Sequence, residues 1–174
     1  MIKRLVLLAV FVGGILFTSS SQNIVMDKSN VEFRVANLGA NTVKGKFTGM
    51  TGNVTFDPKN IAKASFDVCI DATSINTRMK KRDTALKGPK YFDIARYPEI
   101  CFASKTVSRT GMNYKVIGSL SMHGVKKEVE IIFNSSRNTL TGKLKVNRLD
   151  YKIGPKSGVF VGKQVDITIT CVVE

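Results

Sequence analysis

From Asn23 to the last residue, apolar side chains recur at every second position far more often than at every third or fourth. Val31, Phe33 and Val35 alternate with Glu32 and Arg34. Val54 and Phe56 follow, and then Phe66, Val68 and Ile70 set against Asp67, Cys69 and Asp71. The pattern resumes at Ile100 and Phe102, at Val116, Gly118 and Leu120, and at Val129, Ile131 and Phe133. It continues through Leu140, Leu144 and Val146 and closes on Val165, Ile167, Ile169, Cys171 and Val173. A period of two is the signature of a half-buried β-strand. Asp57-Pro58, Thr110-Gly111, His123-Gly124 and Arg137-Asn138 fall between the runs as turn pairs. About eight strands with one apolar face each are therefore expected, in antiparallel neighbours. No βαβ rhythm and no Gly-rich phosphate loop interrupts them, so a doubly wound fold is excluded. Such strands bury their apolar face either as a sandwich or by curling into a barrel.

One segment breaks the period. In SINTRMKKRDTALKGPKYFDIARYP, the positions Ile75, Met79, Arg82 and Leu86 stand four, three and four apart, which predicts a short helical insertion over about residues 76–96. Asn76 or Thr77 is expected to cap it and Gly88-Pro89 to end it, with a second short turn of helix from Pro89. Arg78 to Arg96 carries seven basic and two acidic residues. A solvated helix face explains such a charge run as readily as a binding role does.

The N-terminus has a separate meaning. Lys3 and Arg4 precede an unbroken apolar run from Leu5 to Phe17, followed by the small polar residues Thr18 to Ser21. This is the layout of a secretory signal peptide over residues 1–21, with Gln22 as the mature terminus, and the run is short for a membrane span. Residues 22–174 then form a single domain. The chain's net charge is +14, of which the signal peptide takes two, leaving +12 on the domain. An exported protein does not normally meet nucleic acid, so an anionic lipid or membrane surface replaces nucleic acid as the natural partner of that charge.

Catalytic and metal chemistry find no purchase. The single histidine, His123, stands at a strand end beside Gly124, with no nucleophile elbow or paired carboxylates and no ligand cluster at metal-binding spacing. The expectation is a non-enzyme with no cofactor. Three cysteines, Cys69, Cys101 and Cys171, contain no CxxC. If the strands flanking the insertion are neighbours, Cys69 and Cys101 face each other on their polar sides at disulfide distance, with Cys171 left as a buried thiol.

The order of the pieces resembles the YceI-like family of exported polyisoprenoid-binding proteins. The carrying residues are SNVEFRVANLG, VKGKFTGMTGNVTFDP and ASFDVCIDATSINT, the pair Arg82-Asp83 with Leu86, YFDIARYPEICFAS, YKVIGSLSMHGVKKEVEI, and RLDYKIG leading to VGKQVDITIT. Together they cover roughly residues 29 to 173. Tyr91 stands where the family commonly has a second Phe, Lys126 where it has Thr, and the cysteines lie outside its pattern. The resemblance implies an eight-stranded antiparallel lipocalin-like barrel whose pore holds a long-chain isoprenoid lipid, of polyprenyl or quinone type. It also implies a non-catalytic transport or storage role in the periplasm, and a homodimer. Candidate tail contacts are Phe33, Phe47, Phe56, Phe66, Ile70, Phe102 and Leu120, with Ile75, Met79, Leu86, Tyr91 and Phe92 from the insertion. Arg78, Lys80, Lys81, Arg82 and Lys87 are the candidates for an anionic head group. The competing reading is a basic exported module with a filled barrel that binds an anionic polymer or a partner protein.

Overall fold

Nine strands form among the described residues, one more than the alternation predicts. The computed structural model describes residues 21–38, 41–156 and 160–174, so the candidate signal peptide, Ser21 apart, lies outside the described residues. The strands are β1 (Asn30–Asn37), β2 (Asn41–Phe47), β3 (Met50–Thr55), β4 (Ser65–Asp71), β5 (Glu99–Thr110), β6 (Asn113–Met122), β7 (Val125–Ser136), β8 (Thr139–Asn147) and β9 (Val161–Val172). All pair antiparallel in one sheet of order β2-β1-β9-β8-β7-β6-β5-β4-β3, curled into a half-barrel. The register keeps apolar residues opposite one another: Phe33 faces Ile167, Val35 faces Val165, and Val68 faces Phe102. A slip of one residue would turn each of these faces to solvent.

The strand missed by the alternation is β2. Its inward positions are Val43, Gly45 and Phe47, and the glycine interrupts the apolar phase. The ring of Phe33 fills the place a side chain would take, because a Cβ on Gly45 would lie 2.4 Å from that ring. The two ends of the sheet, β2 and β3, are consecutive in the chain but do not pair, so the barrel is not closed all round as expected. Short bridges cover the edges instead. Lys46 and Asn76 exchange backbone hydrogen bonds of 3.0 Å on the β2 side, and Gln22 donates to the Val54 carbonyl on the β3 side.

The insertion is shorter than predicted. Its helix, α1, spans Lys80–Lys87 with Met79 at the N-cap, and the segment from Pro89 to Arg96 forms turns rather than a second helix. Asn76 does not cap it because its backbone is engaged with Lys46. Thr77 reaches the helix indirectly: its N–H and hydroxyl donate to the Asp83 carboxylate, while Arg82 donates to the Thr77 hydroxyl (2.7 Å) and carbonyl (2.8 Å). Ile75 is buried ahead of the helix and Met79 is 53% exposed, so the expected apolar stripe carries only Leu86 inward.

Cys69 and Cys101 stand opposite each other on β4 and β5 with Cα atoms 4.0 Å apart, and their sulfurs are bonded. The bond closes a loop of 32 residues that contains all of α1. Constraining a loop of that size in the unfolded chain is worth about 3.7 kcal/mol. The Cys69→Ala/Cys101→Ala variant is expected to unfold in urea with that much less free energy. A difference under about 0.5 kcal/mol would mean the unfolded chain is already held by other contacts.

Cys171 is buried, and burial pushes its thiol up to about 11. The protonated form is favoured in the fold, so its contribution to stability is complete below pH 9 and fades as pH rises toward 11. The stability gap between the wild type and Cys171→Ala should narrow over that interval in urea titrations. Native protein at pH 8 should also resist alkylation at this thiol.

Candidate functional site

Inside the curled sheet the apolar residues do not all meet one another. One end is plugged by the rings of Phe56, Phe66, Tyr114 and Phe133, whose centroids lie 5.0–6.2 Å apart. Towards the other end the inward residues of β1 and β9 remain only partly buried although they face the interior. They line a cavity of about 170 Å³. Its walls are almost wholly aliphatic and aromatic, and α1 with the turn after it contributes Leu86, Tyr91 and Phe92 as a cover. Phe92 sits edge-on to Phe47 at 5.3 Å, fixing that cover to β2. A second chamber of about 70 Å³ lies deeper, and Met50, Val68, Phe102, Ile131 and Ile169 line both spaces. These five side chains are the partition between them.

Eight of the twelve expected tail contacts line the main cavity: Phe33, Phe47, Ile70, Leu86, Tyr91, Phe92, Phe102 and Leu120. Phe66 lines the deeper chamber. Phe56 belongs to the aromatic plug, Ile75 is packed behind β2, and Met79 points to solvent; none of these three lines either space.

The basic candidates are not brought together. Arg78 and Arg82 border an open cleft of about 660 Å³ with Glu32, Arg34, Lys44 and Lys46 from the outer face of β1 and β2. Lys80 and Lys87 lie against an adjoining surface depression with Met79 and Asp83, which Arg78 borders as well, and Lys81 lines neither. Arg34, Lys44 and Lys46 escape sequence reasoning because they occupy the polar phase of ordinary strands. Phe33 borders both the basic cleft and the apolar cavity, which makes it the junction between them.

Arg148 is the other residue that sequence reasoning does not single out. It follows β8 and is 5% exposed, beside the cavity. Its guanidinium donates to the carbonyls of Ile153, Pro155, Val161 and Gly162 at 2.7–2.9 Å. Burial lowers its pKa from the ordinary value, while nearby Tyr91 works the other way. The cation thereby ties the β8–β9 connection to the start of β9 beside the cavity.

Among the described residues His123 meets the ring of Tyr97 edge-on and the backbone of Tyr151. It is in the left-handed region (φ 51°), and its Nδ1 lies 3.0 Å from the carbonyl oxygen of Tyr151 rather than from a neighbour in its own turn. Among the described residues one group has metal-ligand spacing, namely Cys69, Glu99 and Cys101, assembled across the strand pair. The disulfide takes both sulfurs.

A YceI-like domain matches residues 23–173, which is nearly all of the barrel. The chain belongs to the YceI-like family. Among YceI-like relatives, UPF0312 proteins of Yersinia pestis and Yersinia pseudotuberculosis are 34% identical over 132 residues, covering 72% of this chain and 69% of theirs. The fold is similar to that of BcnA from Burkholderia cenocepacia (TM-score 0.81, 25% identity, 87% of this chain and 100% of that one). It is also similar to the Campylobacter jejuni YCEI protein (TM-score 0.69, 24% identity, 80% and 89%). A third similar structure, at 15% identity and a TM-score of 0.65 over 88% and 97% of the two chains, is a polyisoprenoid-binding domain from Saccharophagus degradans.

Proposed function

We propose that this YceI-like protein binds a long-chain isoprenoid lipid of polyprenyl or quinone type and carries or stores it outside the cytoplasm without chemically changing it. The observation that carries the reading is the cavity, whose lining gives a lipid tail apolar contacts and almost no polar partner. Each methylene moved from water into such a site contributes about 0.8 kcal/mol. The Saccharophagus degradans domain of the same fold is described as polyisoprenoid-binding, and the N-terminal signal layout is consistent with export.

A cavity near 170 Å³ compares with engineered cavities of about 150 Å³ that admit benzene. The two chambers together still hold only the first few isoprene units, so a long prenyl chain enters by rotating Met50 and Phe102 in the partition and by widening the curled sheet around it. Methionine suits that task because its unbranched side chain changes rotamer cheaply. The head group stays outside, and the cleft bounded by Arg34, Lys44, Arg78 and Arg82 is the place for a phosphate or diphosphate, with Phe33 between head and tail. The competing reading, a filled barrel acting only as a basic module, is disfavoured by the unfilled space.

The test is titration of delipidated protein with a polyprenyl phosphate, a saturated fatty acid of similar length, and inorganic phosphate. Saturable one-to-one binding of the prenyl lipid, with little affinity for phosphate alone, is expected. Equal weak binding of phosphate and prenyl phosphate would overturn the reading in favour of the basic module.

A further inference from the structure

The rim at the covered end of the cavity carries two large apolar side chains in water. Leu38, just past β1, is 59% exposed, and Phe160, just before β9, is 62% exposed. They are neighbours, because the Leu38 N–H donates to the Phe160 carbonyl at 2.9 Å. Each lies close in sequence to a cavity-lining residue, Val35 on one side and Val161 on the other. Isolated exposed hydrophobics are ordinary, but an adjacent pair at the mouth of an apolar cavity is a surface that water disfavours.

The surroundings of this pair are cationic. The connection leading to β9 carries Lys152 and Lys156, β9 itself carries Lys163 near its start, and no carboxylate stands between Tyr151 and Gln164. The turn after α1 joins the same rim, since the Gly154 N–H donates to the Lys90 carbonyl at 2.9 Å. Of the two acidic residues in the insertion, Asp83 accepts from Thr77 and Asp93 is buried beside Arg96. They do little to offset the lysines. Apolar tips set in a basic rim combine the two terms that hold a protein at an anionic membrane surface, shallow burial of apolar side chains and attraction to lipid charge.

We infer that Leu38 and Phe160 form a membrane-docking tip that seats the cavity mouth on an anionic bilayer, so that lipid passes between bilayer and cavity without crossing water. This inference rests on the proposed lipid-binding role of the cavity. The occupant is a bilayer rather than a protein because the apolar element is two protruding side chains and not a groove.

The chain has no tryptophan, so Phe160→Trp places a single reporter at the tip. With vesicles of phosphatidylcholine and phosphatidylglycerol, its emission should shift to the blue and be quenched by brominated acyl chains. Both effects should weaken on phosphatidylcholine alone and at high salt. The Leu38→Ser/Phe160→Ser variant should bind those vesicles roughly tenfold more weakly or worse, and should take up polyprenyl phosphate from them correspondingly slowly. Its binding of the same lipid presented in detergent should equal that of the wild type. Absence of quenching on anionic vesicles overturns the inference. So does self-association in sedimentation that the double variant abolishes, since the tip is then a contact between copies. Failure of the wild type to bind lipid even from detergent would instead remove the cavity's proposed role while leaving the vesicle result to stand or fall alone.

Discussion

Arg148→Met is expected to lower the free energy of unfolding by about 4 kcal/mol, within the range of roughly 3–5 kcal/mol seen when a buried charged network loses a partner. The side chain satisfies four backbone carbonyls, two in the β8–β9 connection and two at the start of β9, and methionine leaves all four without their donor. Each buried acceptor left unpaired costs roughly 1–3 kcal/mol before water or local shifts recover part of it. Arg148→Lys should recover less than half of the loss. An ammonium group lacks the planar fork that reaches Ile153 and Pro155 through one nitrogen and Val161 through the other. Urea unfolding of the three proteins measures this directly. A loss below about 1 kcal/mol for Arg148→Met would mean that the connection holds its shape without the guanidinium. Because the connection supplies Ile153 and the start of β9 supplies Val161 to the cavity wall, the methionine variant should also bind lipid more weakly at temperatures where it is still folded.

Ile167→Trp should separate binding from folding in the opposite direction. Ile167 projects from β9 between Phe33 on β1 and Leu144 on β8, lines the cavity, and is only partly buried. In a tightly packed core an added ring costs roughly 1–3 kcal/mol in strain. Here the indole has about 170 Å³ to enter, so the expected change in stability is under about 1 kcal/mol. Displacing about four methylene groups of a bound chain forfeits roughly 3 kcal/mol of burial, which corresponds to about a hundredfold in affinity. Unchanged affinity in a stable Ile167→Trp protein would place the ligand elsewhere, with the basic cleft on β1 and β2 as the first alternative.

The sheet was legible because alternation is a local property that burial on one face imposes on every strand. Strand β2 was not legible, since its central inward residue is Gly45 and the missing side chain belongs to Phe33 on the neighbouring strand. The same limit governs the site. Phe102 and Phe56 both fall on the inward phase, and nothing in their neighbours says that one meets a cavity and the other a ring stack. Met79 fitted a helical stripe that the chain does not complete, because Asn76 is held by Lys46 and the helix begins only at Lys80. Arg148 carries no distinguishing signal in the sequence beside Asp150. It is buried only because the β8–β9 connection folds back over it. The basic cleft unites two segments far apart in the chain, and the Lys46–Asn76 bridge that joins them has no sequence signature.

Organic extraction of the purified protein followed by mass spectrometry of the extract addresses the cavity's role most directly. A long-chain prenyl lipid in near one-to-one ratio to wild-type protein is expected, much reduced in Ile167→Trp prepared in parallel. An extract without prenyl lipid, from protein that also fails to take up added polyprenyl phosphate or quinone, would contradict it.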